Sequence, residues 1–125
     1  PEIASVRDAD RVIGLIESEE KRSPDLVINR MKPDLVRRGE MLDVADVVEL
    51  LAIELIGIIP EDSAILSATN RGQPVALSQN GSAAGQAFHN IAGRLCGEDV
   101  PFVPLREPGV FERLARLVHR GGNRS

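Results

Sequence analysis

The chain has 125 residues, 42% of them hydrophobic and 27% charged, and its formal net charge is −4. This length allows one core, which must be aliphatic because the chain has no Trp or Tyr and only three Phe. The single cysteine, Cys96, excludes an internal disulfide, and we expect it to be a small buried apolar residue. No run reaches transmembrane length, and the first residues show no signal-peptide pattern.

The charge is divided unevenly along the chain. Residues 1–107 carry 11 Lys and Arg against 18 Asp and Glu, a net −7, whereas residues 108–125 carry four Arg against one Glu, a net +3. An acidic body argues against general nucleic-acid binding. The basic terminal segment therefore needs a separate explanation.

The first predicted element is an amphipathic helix with Ser5 as its cap and Asp8 in the capping-box position. The charged segment 17–25 contains Pro24 and is expected to fray from helix into loop. Apolar residues recur at helical spacing on one face of this helix: Val6, Ala9, Val12, Ile13 and Ile16.

A short apolar strand is predicted at Leu26–Ile28, with Asn29 and Arg30 following its carboxyl end. Ligands of open α/β sheets bind at this edge. An Asn amide offers adenine both a donor and an acceptor, and an Arg guanidinium can stack on the ring or reach a phosphate. Asn at a strand end is also ordinary turn chemistry, so the residues alone leave both interpretations open.

An irregular connection is predicted over residues 31–41, which contain Pro33 and Gly39, and Asp43 is predicted to cap the next helix. The apolar face of that helix is expected to consist of Val44, Val47, Val48 and Leu51.

A second strand is predicted at Leu55–Ile59, whose β-branched run suits a buried parallel sheet. Pro60 cannot donate to a ladder and should end this strand. Glu61 and Asp62 then place negative charge at a helix start, where Asp62 or Ser63 supplies the capping oxygen. Gly72 is expected to stop that helix. The turn formed by Pro60, Glu61 and Asp62 should lie at the ligand-binding edge, although an ordinary βα turn without a ligand fits the spacing too.

A further helix is predicted over about 82–96 and should end at Gly97. His89 has no second His, Cys or carboxylate at ligand spacing, so we read it as a surface or packing residue and predict no metal site. The buried face is expected to consist of Ala83, Ala84, Ala87, Phe88, Ile91 and Leu95.

The end of the chain combines a linker with a basic amphipathic helix. Residues 100–108 contain three prolines and predict an extended linker, and residues 121–125 are expected to be a disordered tail. Residues 109–120 place apolar side chains in one arc and arginines beside it, which suits a membrane surface, although a helix packed on its own domain or on a partner is the alternative. The predicted membrane-binding residues are Val110, Phe111, Arg113, Leu114, Arg116, Leu117, Val118 and Arg120.

Several of these segments resemble one known family. The run LIGIIPED at 55–62 with Gly72 and Pro74-Val75, the segment 4–14, and RLCGE at 94–98 are similar to the carboxy-terminal half of MinD-type septum-site-determining ATPases. The resemblance implies an α/β fold, part of a mostly parallel P-loop NTPase-type sheet with flanking helices. It also implies that residues 1–99 are half of the ATPase domain and that the terminal helix is its membrane-targeting sequence.

The resemblance implies roles for particular residues and partners. The complete protein would bind ATP or ADP with Mg, form an ATP-dependent homodimer, meet MinC and MinE, and lie in the cytoplasm on the inner face of the cell membrane. Arg7, Asp8 and Asp10 would face a partner or the dimer interface. The adenine side of the nucleotide site would comprise Asn29, Arg30, Pro60, Glu61 and Asp62.

One part of the family's machinery has no counterpart in this sequence. No Gly-Lys-Thr or Gly-Lys-Ser occurs, so nothing matches a phosphate-binding P-loop, and we predict that this chain has no catalytic residues and no ATPase activity alone. Two alternatives are a superfamily relative acting in flagellar placement or chromosome partition, and a non-enzymatic α/β adaptor that docks its terminal helix on a protein.

Overall fold

The computed structural model describes residues 1–20, 22–78 and 81–102. The predicted α/β class with a parallel sheet is confirmed within them. The linker beyond residue 102, the helix at 109–120 and the tail at 121–125 lie outside the described residues. The elements in chain order are α1 (Ile3–Glu20), β1 (Leu26–Met31), α2 (Pro33–Arg37), α3 (Val44–Leu51), β2 (Leu55–Pro60), α4 (Ser63–Asn70), a 3-10 turn (Val75–Leu77) and α5 (Ala83–Leu95).

The two strands run parallel, and their register brings both carboxyl ends to one edge. Leu26 pairs with Leu55 at the start and Met31 pairs with Pro60 at the end. Between Ile28 and Met31 the register shifts by one residue, so β1 carries a bulge there. Met31 is almost fully buried, with 1% of its surface exposed, which fixes the register at the end of the sheet.

The core is aliphatic, as the composition predicts. Its main cluster lies where α1 and α3 pack beside β1. On the other side of the sheet α5 packs across β2, and a Cβ at Gly57 would overlap the side chain of Ile91. This close approach of helix and strand explains why glycine occupies the middle of β2. The buried cluster contains Val6, Ile13, Ile28, Met31, Val47, Leu51 and Ile53.

Local signals placed most helix ends correctly. Asp43 caps α3 in a reciprocal capping box with Asp46, and Asp62, not Ser63, caps α4. Gly72 and Gly97 adopt positive φ angles of 67° and 85° just after α4 and α5, in the conformation that favours glycine.

Three predictions about element limits are wrong. The helix α1 begins at Ile3 and continues to Glu20, so Ser5 lies inside it and cannot cap it. Residues 33–37 form the short helix α2, because a proline in the first helical turn needs no hydrogen-bond donor. The strand β1 extends to Met31, because the bulge carries Asn29 and Arg30 within it.

Predictions of burial also need correction. Cys96 is exposed, because it follows the last residue of α5. Phe88 and Leu95 on that helix are 38% and 64% exposed, and Val12 on α1 is 53% exposed. Helical spacing identifies a face, but the neighbouring element decides how much of that face is covered.

Candidate functional site

The carboxyl ends of β1 and β2 meet, and this strand edge contains the five residues predicted for a nucleotide site. The Glu61 backbone N–H donates to the Met31 carbonyl oxygen at 3.0 Å, just beyond the Met31–Pro60 pair. Asn29 and Arg30 therefore stand beside the turn formed by Pro60, Glu61 and Asp62, although some thirty residues of chain separate the two segments. We call this group the strand edge.

The bulge in β1 gives Asn29 and Arg30 an unusual backbone. Arg30 has a φ of 57°, which is uncommon for a residue with a side chain. The Arg30 N–H donates to Asn29 Oδ1 at 2.9 Å, which satisfies the bulged backbone locally. This bond occupies one of the two lone pairs of Asn29 Oδ1 and leaves its Nδ2 group as a donor for a ligand.

The Glu61 carboxylate pairs with two cations, Arg30 in β1 and Lys32 directly after that strand. Its Oε1 accepts from Arg30 Nη2 at 3.4 Å and its Oε2 pairs with Lys32 Nζ at 2.9 Å. The hydrogen bond from Lys32, with a further contribution from Arg30, lowers the pKa of Glu61 below its ordinary value of 4.5. The Arg30 side chain remains 74% exposed, so its planar guanidinium is accessible while one nitrogen contacts Glu61.

Lys32 is a member of the strand edge that the sequence did not identify. It lies two residues after Arg30, just past the bulge, where the positive φ of Arg30 interrupts the regular alternation of side chains along an extended strand. The signal that could have found it is a cation close after the predicted strand, together with the acidic turn expected at the same edge.

Asp62 ties two helices together through its carboxylate. Oδ1 accepts from the Ala64 N–H at 2.9 Å at the start of α4, and Oδ2 accepts from the Ala84 N–H at 3.1 Å at the start of α5. Both oxygens of this predicted site residue therefore bond to backbone groups. The arrangement holds the turn after β2 against the first turn of α5.

The other predicted site residues do not join the strand edge. Arg7, Asp8 and Asp10 are exposed on α1, and in the described part of the chain no hydrogen bond or ion pair connects them to it. The predicted membrane-binding residues between 110 and 120 lie outside the described residues. Across residues 1–20, 22–78 and 81–102, no group of three or more His, Cys, Asp or Glu side chains could hold a metal ion, and no helix is long and apolar enough to cross a membrane.

Comparisons with known proteins give one consistent relationship. No protein-family model matches the chain. It is 48% identical over 103 residues to the septum site-determining protein MinD of Synechocystis, covering 82% of this chain and 39% of that protein. It is 43% identical over 122 residues to the MinD of Helicobacter pylori, covering 91% of this chain and 45% of the relative. The chain thus spans less than half the length of the curated relatives that it matches.

Solved structures agree with the sequence comparison. The MinD cell division protein of Aquifex aeolicus superposes with a TM-score of 0.77 at 48% identity, covering 82% of this chain and 43% of that one. The MinC:MinD complex from the same organism matches at 0.76 with the same identity, covering 82% and 42%. The cell division ATPase MinD of Pyrococcus furiosus matches at 0.68 and 24% identity, covering 78% and 39%, which establishes a shared fold.

Proposed function

We propose, from the premise that this chain is homologous to part of the MinD septum site-determining proteins, that it supplies the carboxy-terminal half of a septum-positioning ATPase. The observation that carries the proposal is the strand edge, which forms in a chain 48% identical to the MinD of Aquifex aeolicus. Septum placement, ATP switching and membrane association belong to the whole protein, of which residues 1–99 would form half of the ATPase domain.

The strand edge suits the adenine side of a nucleotide site. The Nδ2 group of Asn29 can donate to a ring nitrogen of the base, and the exposed guanidinium of Arg30 offers a flat face for stacking. The backbone of the turn at Pro60 and Glu61 would line the opposite side of the adenine base. Asp62 contributes by fixing that turn, because both of its oxygens are occupied.

The phosphates and Mg would be held by another part of the protein. The sequence contains no Gly-Lys-Thr or Gly-Lys-Ser, the pattern of a P-loop that cradles phosphate groups. ATP or ADP with Mg would then be the ligand of the complete protein, and this chain would contribute the part that faces the base.

The basic helix predicted at 109–120 would bind the anionic inner face of the cell membrane, with the protein otherwise in the cytoplasm. Its large apolar side chains stabilise insertion by about 1.5–3 kcal/mol each when fully buried, before the cost of folding and immobilisation. One helix then binds reversibly, and two helices in a dimer bind together through their effective concentration. An ATP-dependent homodimer would accordingly control membrane association.

Partner binding is the remaining part of the proposal. A relative at 48% identity has been solved as a MinC:MinD complex, which supports MinC as a partner of this protein, and MinE would be a second. The exposed charges Arg7, Asp8 and Asp10 on α1 are the candidates for an interface with a partner or with a second copy.

The decisive experiment places this chain in the MinD of Aquifex aeolicus in exchange for the segment it matches. We expect the chimera to bind a fluorescent ATP analogue and to sediment with anionic liposomes in Mg-ATP more than in Mg-ADP. Arg30→Ala should weaken nucleotide binding by about tenfold, because stacking by an arginine contributes roughly 0.5–2 kcal/mol. Removal of residues 108–125 should abolish sedimentation.

Matched variants separate the parts of this proposal. Arg38→Ala removes an exposed arginine that pairs with Asp34 away from the strand edge, and it should leave nucleotide binding unchanged. Equal losses for Arg30→Ala and Arg38→Ala would reject the adenine site. Sedimentation that persists without residues 108–125 would reject the membrane tail, and ATP-independent protein binding by that tail would favour the adaptor.

A further inference from the structure

Arg94, in the last turn of α5, donates to three backbone carbonyl oxygens. Its Nη1 reaches the Ile56 oxygen in β2 at 2.9 Å. Its Nε and Nη2 reach the Val100 and Pro101 oxygens at 3.0 and 3.3 Å. The planar guanidinium fork can make such bonds in several directions at once, so one side chain joins a strand to the segment that follows the helix.

The same guanidinium also covers an aromatic ring. Its central carbon lies 3.8 Å from the centroid of the Phe102 ring, a distance at which the positive charge is attracted to the ring face. Phe102 is 44% exposed, so this contact is formed at the surface of the protein. Residues 100–102 are thus held by Arg94 through backbone and side chain together.

Gly93 provides an independent sign that this segment packs on the helix. A Cβ at Gly93 would lie 2.8 Å from Glu98 Oε2 and 3.2 Å from Val100 Cγ2. The Glu98 N–H donates back to the Gly93 carbonyl oxygen at 2.9 Å, which turns the chain as α5 ends. Glu98 Oε2 ends a flexible side chain that can move aside, so the close approach that matters here is the one between Gly93 and Val100.

We propose that Arg94 is a positioning residue that holds residues 100–102 against the α/β body and so fixes the position from which the chain continues past Phe102. We call its contacts with Ile56, Val100, Pro101 and Phe102 the Arg94 latch. With the latch formed, residues 100–102 are fixed to the body and do not hang free from the end of α5. A segment attached at a fixed point on the body has a higher effective concentration near that body than one attached at a free end; that the segment in question binds a membrane rests on the proposed function.

Chymotrypsin cleavage after Phe102 tests the latch in the complete chain without any membrane. Cleavage requires the segment to leave the body, so its rate follows the population of the open form when opening is fast. Arg94→Gln should raise this rate at least about fivefold, because it removes charge-assisted bonds to carbonyls. Arg94→Lys, which keeps the charge and loses the fork, should give an intermediate rate.

Two controls keep the result specific. Arg71→Gln changes the arginine at the C-cap of α4, a different helix end, and it should leave cleavage after Phe102 unchanged. Phe88 lies within α5, so cleavage after Phe88, resolved by mass spectrometry, reports opening of the helix itself. Equal acceleration after Phe88 and Phe102, or no acceleration after Phe102, would overturn the latch.

Gly93→Ala tests the same segment from the helix side. Alanine is a better helix former than glycine, yet its Cβ would lie only 3.2 Å from Val100 Cγ2, so cleavage after Phe102 should rise while α5 stays protected. Unchanged cleavage would contradict the packing argument. Liposome sedimentation is scored separately, so a latch without membrane binding rejects the proposed tail and leaves the latch standing.

Discussion

The two ends of α5 are each tied to the sheet region by one charged side chain, and the two ties differ in kind. At the start, Asp62 accepts from the Ala84 N–H across 22 residues of sequence. At the end, Arg94 donates to the Ile56 oxygen across 38 residues. A carboxylate at the amino end of a helix and a cation at its carboxyl end both interact favourably with the helix dipole. Each end of α5 therefore has a charge of the favourable sign.

The difference lies in what each tie holds. Asp62 joins the starts of two helices, and Ala84 is fully buried, so water cannot replace a lost bond there. Arg94 holds a segment whose last two residues are exposed, and water can take over its bond to the Pro101 oxygen, whereas its bonds to Ile56 and Val100 are partly buried. The start of α5 should therefore govern the stability of the whole body, and its end should govern one short segment.

Gly57→Val should have the largest effect, because both ends of α5 depend on the close packing of that helix against β2 at Gly57. The valine side chain would overlap Ile91 and push α5 away from β2, which we expect to lower the free energy of unfolding by about 3 kcal/mol. Urea denaturation measures this loss.

The added change Ile91→Ala opens the same space and provides the control for that experiment. We expect a favourable coupling of about 1 kcal/mol between the two substitutions. Strictly additive losses would mean that the helix and strand do not meet at Gly57 as described.

Asp62→Ala tests the contact at the start of α5, and Arg94→Gln tests the contact at its end. Asp62→Ala removes a helix cap and leaves the buried Ala84 N–H without an acceptor, so we expect a loss of about 2 kcal/mol in the free energy of unfolding. Arg94→Gln should cost less than about 1 kcal/mol by the same urea measurement, because its effect is local.

Asp43→Ala is the matched control, because it removes a helix cap from α3 with no second helix attached. Its cost should be about 1 kcal/mol. If Arg94→Gln costs as much as Asp62→Ala, the end of α5 is not a local latch, and the contrast between the two ends is wrong.

The smallest effect concerns the ion pairs beside Asp62. Lys32 and Arg30 lower the pKa of Glu61 in the folded protein. Ionised Glu61 therefore stabilises the fold at pH values above its ordinary pKa of 4.5. This stabilisation is lost as the pH falls through the lower pKa of the folded state. Glu61→Gln should make the fall in stability on acidification shallower. The pKa of Glu61, measured by NMR from its carboxyl carbon chemical shift, should lie below 4.5 and should rise in Lys32→Met. A Glu61 pKa at its ordinary value would show that these ion pairs do not form in solution.

Much of the fold could be predicted from local patterns. The β-branched run before Pro60, the capping residues Asp43 and Asp62, and the stop at Gly97 all place element limits that the structure confirms. The meeting of the two strand ends also follows from a parallel sheet, because strand direction is set by the helical connection. Helical spacing was less informative about burial, as the exposed Val12 and Leu95 show.

The sequence alone therefore predicted the α/β class, the family resemblance and the five residues first assigned to the strand edge. These predictions rest on capping, strand and turn patterns, which lie within short stretches of chain. The tertiary structure alone decided that Lys32 pairs with Glu61, that Asp62 uses its second oxygen on α5, and that Arg94 holds the segment up to Phe102. The Lys32 and Asp62 contacts join residues more than twenty positions apart in the sequence. Spacing cannot reveal them, because the partner of a charged side chain is chosen by the packing that brings two elements together.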